Sequence, residues 1–299
     1  MTTNNGLLLI DKPTGLTSHD VVARVRTVLN ERRVGHAGTL DPMATGLLVL
    51  GVGPSTRLLR FAQSETKRYV GVVTLGASTD SLDADGQVVE RREVPPLTTD
   101  LVNVKASGMI GPQSQTPPMV SAIKVEGRRL HVLAREGVVI ERKPRAITVH
   151  AFSLSPTSHP DEWSFEVTCS VGTYVRVLLS DLAERLGTLG YLSQLRRLSS
   201  GAHNVDDALT LDELESRVTS GVTVLQPPRA FVTQLEELVV SGDDERRLRM
   251  GQRVASTAPR GDEIAATNET GSLVAVLERR GNSWQPLVVL PIEETSERG

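Results

Sequence analysis

The segment that most constrains this chain runs Gly35-His36-Ala37-Gly38-Thr39-Leu40-Asp41-Pro42 and leads, past Gly46, into the apolar run Leu47-Leu48-Val49-Leu50. Gly35 and Gly38 permit a backbone path closed to other residues, and an aspartate followed by proline is held just before a core strand. The result is a rigidly placed carboxylate. An ordinary Asp-Pro turn uses its carboxylate to cap a local N–H, and spacing alone does not decide between capping and chemistry.

The flanking sequence predicts alternating strands and helices. Residues 7–10 read as a strand that ends at Asp11-Lys12-Pro13. Thr17 or Ser18 caps a helix with Val21, Val22, Val25, Val28 and Leu29 on its apolar side and Arg24 and Arg26 on a basic outer face. Residues 35–42 are expected to form an irregular loop, 47–50 a buried strand, 56–62 a short helix, 69–75 a strand and 78–87 an acidic loop. A helix begins at Thr98 or Thr99. Strands at about 147–155 and 162–171 form a hairpin, and Thr173 opens a helix with Val177, Leu178, Leu182 and Leu186 on one face. Between them, residues 113–145 carry Pro117-Pro118, Lys124, Arg128, Arg129 and Arg135, with a short helix around 130–135, and read as a basic protrusion. Pro227-Pro228 marks a linker, placing one domain at 1–228 and a small β-rich module at 229–299.

Charge is divided along the chain. The net value is −3, yet residues 1–75 hold nine Lys or Arg against five Asp or Glu, and 105–145 hold eight against three. Residues 230–299 reverse this, with eight against twelve. Phosphate binding is therefore expected of the first half rather than of the tail, where Arg246, Arg247, Arg249 and Arg253 form at most a local patch. No apolar run reaches membrane-spanning length and the first residues lack a signal peptide's basic and apolar regions, so a cytoplasmic protein without membrane contact is expected. The single cysteine, Cys169, alternates with Phe165, Val167 and Val171 as on a buried strand face. It excludes a cysteine-rich zinc site, and with no His-Glu-x-x-His pair no metal is expected.

Residues 35–46 resemble the catalytic signature of the TruB family, bacterial synthases that make pseudouridine 55 in the TΨC loop of tRNA. The resemblance continues in chain order. Asp11-Lys12-Pro13 with Thr17-Ser18 is similar to the family's first motif, Lys67-Arg68-Tyr69 to its substrate-tyrosine strand, and residues 115–124 to its RNA-facing insertion. Gly172-Thr173-Tyr174-Val175-Arg176 and Leu195-Arg196-Arg197-Leu198 complete a match over about residues 6–200. It implies an α+β pseudouridine synthase fold with a mixed, largely antiparallel sheet, followed by a PUA-like C-terminal domain that binds RNA. By resemblance Asp41 is the catalytic carboxylate, Arg176 the cation that keeps it ionised, and Tyr69 the ring that stacks on the flipped uracil. Tyr174 and Leu195 line the pocket, His36 enters the RNA loop, and Lys12 and Pro13 support the active-site loop. No cofactor and no obligate protein partner are implied, and a monomer suffices.

These residue types suit the chemistry. Uracil must leave the ribose carbon, turn and rejoin through C5, which asks for a nucleophile that bonds covalently and later departs. Glycosidases flank their bond with two carboxylates because one protonates a poor leaving oxygen; uracil can leave carrying negative charge, so one carboxylate suffices. Whether Asp41 attacks ribose or ring stays open. A fixed cation nearby favours the ionised form of an enclosed aspartate against desolvation. A base stacked in folded RNA must be extruded onto an aromatic surface, and two of the three tyrosines, Tyr69 and Tyr174, fall in the matching motifs. Lys67, Arg68, Lys124, Arg128, Arg129, Arg196 and Arg197 are candidates for phosphate contact. Guide-RNA-dependent dyskerin-like synthases share a similar aspartate motif, but this chain lacks their long basic tail. A non-catalytic RNA-binding module would be favoured had Asp41, Tyr69 or Arg176 been replaced. A zinc deaminase is excluded by the missing Pro-Cys-x-x-Cys ligands, and a general glycosidase would need a second positioned carboxylate that the sequence does not identify.

Overall fold

The computed structural model describes residues 4–63, 66–119, 140–255 and 261–292, and the backbone alone of 124–125 and 128–129. In chain order come β1 (Gly6–Lys12), α1 (Ser18–Leu29), β2 (Val34–His36), β3 (Thr45–Val52), α2 (Leu59–Gln63), β4 (Lys67–Leu75), β5 (Ala77–Thr79), β6 (Val88–Arg91) and α3 (Thr99–Ser107). Next are β7 (Gly111–Gln115), β8 (Lys124–Val125), β9 (Arg128–Arg129), β10 (Arg145–Pro156), β11 (Glu162–Cys169), α4 (Val175–Arg185), β12 (Gly190–Ser200) and β13 (His203–Asn204). The last elements are α5 (Leu211–Thr219), β14 (Glu236–Val239), α6 (Gly242–Arg249), β15 (Val254–Ala255), β16 (Glu263–Thr267), β17 (Leu273–Arg280) and β18 (Ser283–Val289). The chain divides into two compact units, one of Met1–Asp41, Leu47–Ser64 and Ala202–Gly299, the other of Pro42–Gly46 and Glu65–Gly201. Among the described residues no helix is long and apolar enough to cross a membrane.

In the first unit, Thr17 rather than Ser18 caps α1. Its hydroxyl accepts the Asp20 N–H while the Asp20 carboxylate accepts from the Thr17 backbone, a reciprocal cap worth about 1 kcal/mol. Val21, Val22, Val25 and Leu29 bury their stripe against Leu8 and Ile10 of β1, Leu48 and Leu50 of β3, and Leu214 of α5. The outer face is partly tied down, since Arg24 pairs with Glu215 at 2.6 Å. The expected irregular loop starts later than its glycines suggest, because Val34, Gly35 and His36 pair with Val52, Gly51 and Leu50. The tail forms a five-stranded sheet ordered β14-β16-β17-β18-β15, closed by a core of Trp284, Leu277, Val274, Ile264 and Leu248. Here the arginine patch is largely engaged: Arg246 pairs with Asp243, Arg249 with Glu245 at 2.5 Å, and Arg253 with the Gln285 amide.

In the second unit, β12, β4, β11, β10 and β7 lie side by side, each antiparallel to the next. Thr45 and Gly46 add a parallel pairing to Arg196 and Arg197, so the sheet is mixed but largely antiparallel, as expected. Val73, Leu75, Phe165, Val167, Leu178, Leu179 and Leu182 are buried. Several local expectations are corrected. Residues 113–115, expected to open the basic protrusion, are part of β7 and pair with Arg145–Ile147 of β10. The helix expected around 130–135 lies outside the described residues. Thr173 does not cap α4; its hydroxyl bonds the Ser170 carbonyl, and Tyr174 takes the cap position without a side-chain bond. The acidic loop over 78–87 starts within a hairpin, β5 pairing with β6.

Candidate active site

Lys12, Pro13, His36 and Asp41 belong to the first unit. Lys12 is fully buried at the end of β1, and its ammonium donates to the carbonyls of Pro13 (2.9 Å) and Leu16 (2.7 Å). A buried ammonium needs such acceptors to offset its lost hydration, and these two close the loop of which Pro13 is an exposed member. Ser18, spared from capping and 1% exposed, grips the residue before the aspartate: its hydroxyl accepts the Leu40 N–H at 2.9 Å and lies 3.2 Å from the Leu40 carbonyl. His36 ends β2, and its ring meets that of His19 edge to face, centroids 5.6 Å apart. Asp41 is partly buried and ends the first segment of this unit; Pro42–Gly46, which follow, belong to the second.

Tyr69, Tyr174, Arg176 and Leu195 belong to the second unit. On β4, Tyr69 lies opposite Arg197 and Gly71 lies opposite Leu195, so Tyr69 and Leu195 are diagonal neighbours on one face of the sheet. Both are buried. The segment after Asp41 reaches the same strand, with the Thr45 hydroxyl 3.4 Å from the Leu195 carbonyl. Gly46 has φ +98°, and a Cβ there would sit 2.3 Å from the Arg197 carbonyl oxygen, so only glycine lets the backbones meet. Leu192 of β12 bonds the loop over 82–84: its N–H donates to the Leu82 carbonyl and its carbonyl accepts from Ala84 N–H.

That loop supplies a group for which the sequence carries no local signal. Asp83 accepts from the Arg176 guanidinium at 3.0 Å, with both side chains 5% exposed. The same Arg176 nitrogen donates to the Ser81 carbonyl at 3.0 Å. Gln115 is a second such residue. Its amide brackets the Tyr174 backbone, accepting its N–H at 2.8 Å and donating to its carbonyl at 3.1 Å, and so fixes the start of α4 from β7. Burial also removes Lys67 and Arg197, 6% and 1% exposed, from the set of surface phosphate contacts, whereas Arg68 is exposed and pairs with Glu166. Among the described residues no cluster of His, Cys, Asp or Glu is placed to hold a metal. The arrangement is a partly buried carboxylate held through its neighbour Leu40 and, separately, a buried arginine held by its own carboxylate and the Ser81 carbonyl.

Known proteins share the sequence, and solved structures share the fold. Residues 26–175 match the TruB family pseudouridylate synthase, N-terminal domain. A protein of Thermobifida fusca (strain YX) called tRNA pseudouridine synthase B is 41% identical over 292 residues, 95% of this chain and 98% of that one. One of the same name from Leifsonia xyli subsp. xyli is 42% identical over 299 residues, covering 97% and 98%. The fold resembles a solved structure of a Cbf5-Nop10-Gar1 complex, with a TM-score of 0.70 at 24% identity, over 91% of this chain and 78% of that one. With the five-stranded tail and the mixed sheet already described, this chain belongs to the TruB family of pseudouridylate synthases.

Proposed function

We propose that this chain isomerises uridine 55 of tRNA to pseudouridine, with Asp41 as the nucleophile acting on a flipped-out base. The observation that carries the reading is an end-to-end match, over 95% and 97% of the chain, to relatives whose name specifies tRNA. In the reaction the bond from ribose C1′ to N1 breaks, a bond from C1′ to C5 forms, the C5 proton leaves and N1 takes one up, so composition is unchanged. Asp41 bonds transiently to either ribose or ring, and both routes release the C5 hydrogen. Arg176 favours the ionised carboxylate, Tyr69 offers the ring on which uracil stacks, and Tyr174 and Leu195 wall the pocket. His36 enters the RNA loop, and Lys12 with Pro13 supports the loop that ends at Asp41. Residues 1–228 form the catalytic domain and 229–299 a PUA-like domain that binds RNA. The enzyme works in the cytoplasm as a monomer, without cofactor or protein partner.

The test is release of tritium from a tRNA transcript labelled at uridine C5. The wild-type protein releases it and Asp41→Asn lowers the rate at least about a hundredfold, as loss of a covalent nucleophile demands. Near-normal release by the variant refutes the assignment of Asp41, and binding without release by either protein favours a non-catalytic RNA-binding role.

A further inference from the structure

We propose that Ser81 is a positioning residue for the reaction, acting through Asp83 on Arg176. The inference rests on the role given to Arg176 above. Ser81 touches both members of the buried pair. Its hydroxyl donates to Asp83 Oδ1 at 2.5 Å, while its carbonyl accepts from Arg176 Nη1 at 3.0 Å. The Asp85 N–H also reaches Oδ1, at 3.2 Å, and Oδ2 faces Arg176. A carboxylate has two equivalent oxygens and can turn about its last torsion, so the groups bound to Oδ1 decide how Oδ2 is aimed.

The loop is shaped to deliver that hydroxyl. Leu82 has φ +63°, a left-handed conformation that costs a leucine about 1–2 kcal/mol and persists only where the surroundings fix it. They do so here: the Leu82 N–H donates to the Thr79 carbonyl, its own carbonyl accepts from Leu192, and the Thr79 hydroxyl donates to the Asp83 carbonyl at 2.7 Å. The chain then closes at Gly86, where a Cβ would lie 2.2 Å from the Ser81 hydroxyl oxygen and 3.0 Å from the Ser81 nitrogen. Glycine at 86 therefore protects the position of the same hydroxyl. Two features of one loop, a strained leucine and a glycine with no room for a methyl group, converge on the Ser81 side chain.

Single-turnover tritium release and tRNA affinity, measured side by side, test this. Ser81→Ala lowers the rate about tenfold, the size expected when one hydrogen bond to a charged group is lost, and leaves the dissociation constant within about twofold. Ser81→Thr, which keeps the hydroxyl, restores most of the rate. Gly86→Ala, which displaces that hydroxyl without removing it, lowers the rate in the same sense. A wild-type rate in Ser81→Ala, a threonine variant no faster than the alanine one, or a loss confined to tRNA affinity overturns the inference while the proposed function stands. A wild-type protein that releases no tritium overturns both.

Discussion

Arg176 and Asp83 are each buried with the other as a charged partner, which makes the pair separable into structural and chemical roles. Removing one partner of a buried pair leaves an uncompensated charge and costs about 3–5 kcal/mol. At 5% exposure for each side chain neither charge can be rescued by water, so Asp83→Ala should fall in that range. For a protein of this size such a loss lowers the melting temperature by roughly 5–8 °C. Replacing both residues by apolar ones of similar volume, Asp83→Leu with Arg176→Met, removes the stranded charge and is often neutral or better for stability. The assays are thermal unfolding monitored by circular dichroism and single-turnover release of C5 tritium at a temperature where every variant is folded. The expected pattern is a destabilised, slow single variant, and a double variant that regains most of its melting temperature yet stays slow. A double variant that regains both would refute the reasoning, because Arg176 would then be a device of folding alone. A single variant that melts with the wild type would refute it from the other side.

Local geometry sets two further outcomes. Gly46→Ala places a Cβ against the backbone of Arg197, 2.3 Å from its carbonyl oxygen and 2.7 Å from its nitrogen, in a conformation with φ +98°; it should cost about 3 kcal/mol or more in a denaturant titration, and a loss under about 1 kcal/mol would mean the two strands part without penalty. Burial pushes the Cys169 thiol up to about 11, so at pH 8 only about one part in a thousand is thiolate; a thiol reagent should label the denatured chain at once and the folded one no faster than it unfolds.

The sequence is most informative where a signal is local. The cap at Thr17 or Ser18, the strand at 47–50 and the buried face of Phe165, Val167 and Cys169 each rest on a pattern a few residues long and appear in the structure, although Val171, expected on that face, lies past the end of β11 and is exposed. The rest depends on partners far away in sequence. Nothing around Asp83 distinguishes it from Asp80 or Asp85, since what singles it out is an arginine 93 residues further on. Gln115 resembles the start of a basic insertion because prolines and cations lie just beyond it, whereas its own partner, Tyr174, lies 59 residues away. Residue type alone makes Lys67 and Arg197 surface cations. Strand alternation, however, puts Lys67 on the same face as Tyr69, and that period is the signal of its burial. Ser18 misleads for the opposite reason: two adjacent capping residues satisfy one local rule, and only the path of the loop back to Leu40 reveals what the second one does.

Pairing also limits what Arg176 can contribute. At an effective dielectric constant of about 20, a carboxylate roughly 4 Å from an isolated guanidinium gains about 4 kcal/mol, and a companion carboxylate about 3 Å further off takes back more than half of it. The remainder is a little under 2 kcal/mol. A paired arginine is thus a weak source of net field. It is, however, one whose direction is set, because Asp83 and the Ser81 carbonyl hold one end of the guanidinium. An unpaired arginine would exert the stronger pull but would carry a desolvation cost of several kcal/mol with no substrate bound, and would be driven toward solvent. The fold trades strength for placement. In the proposed reaction Arg176 therefore serves by the aim of its donors more than by its net charge, and the residues that orient the pair matter as much as the charge itself.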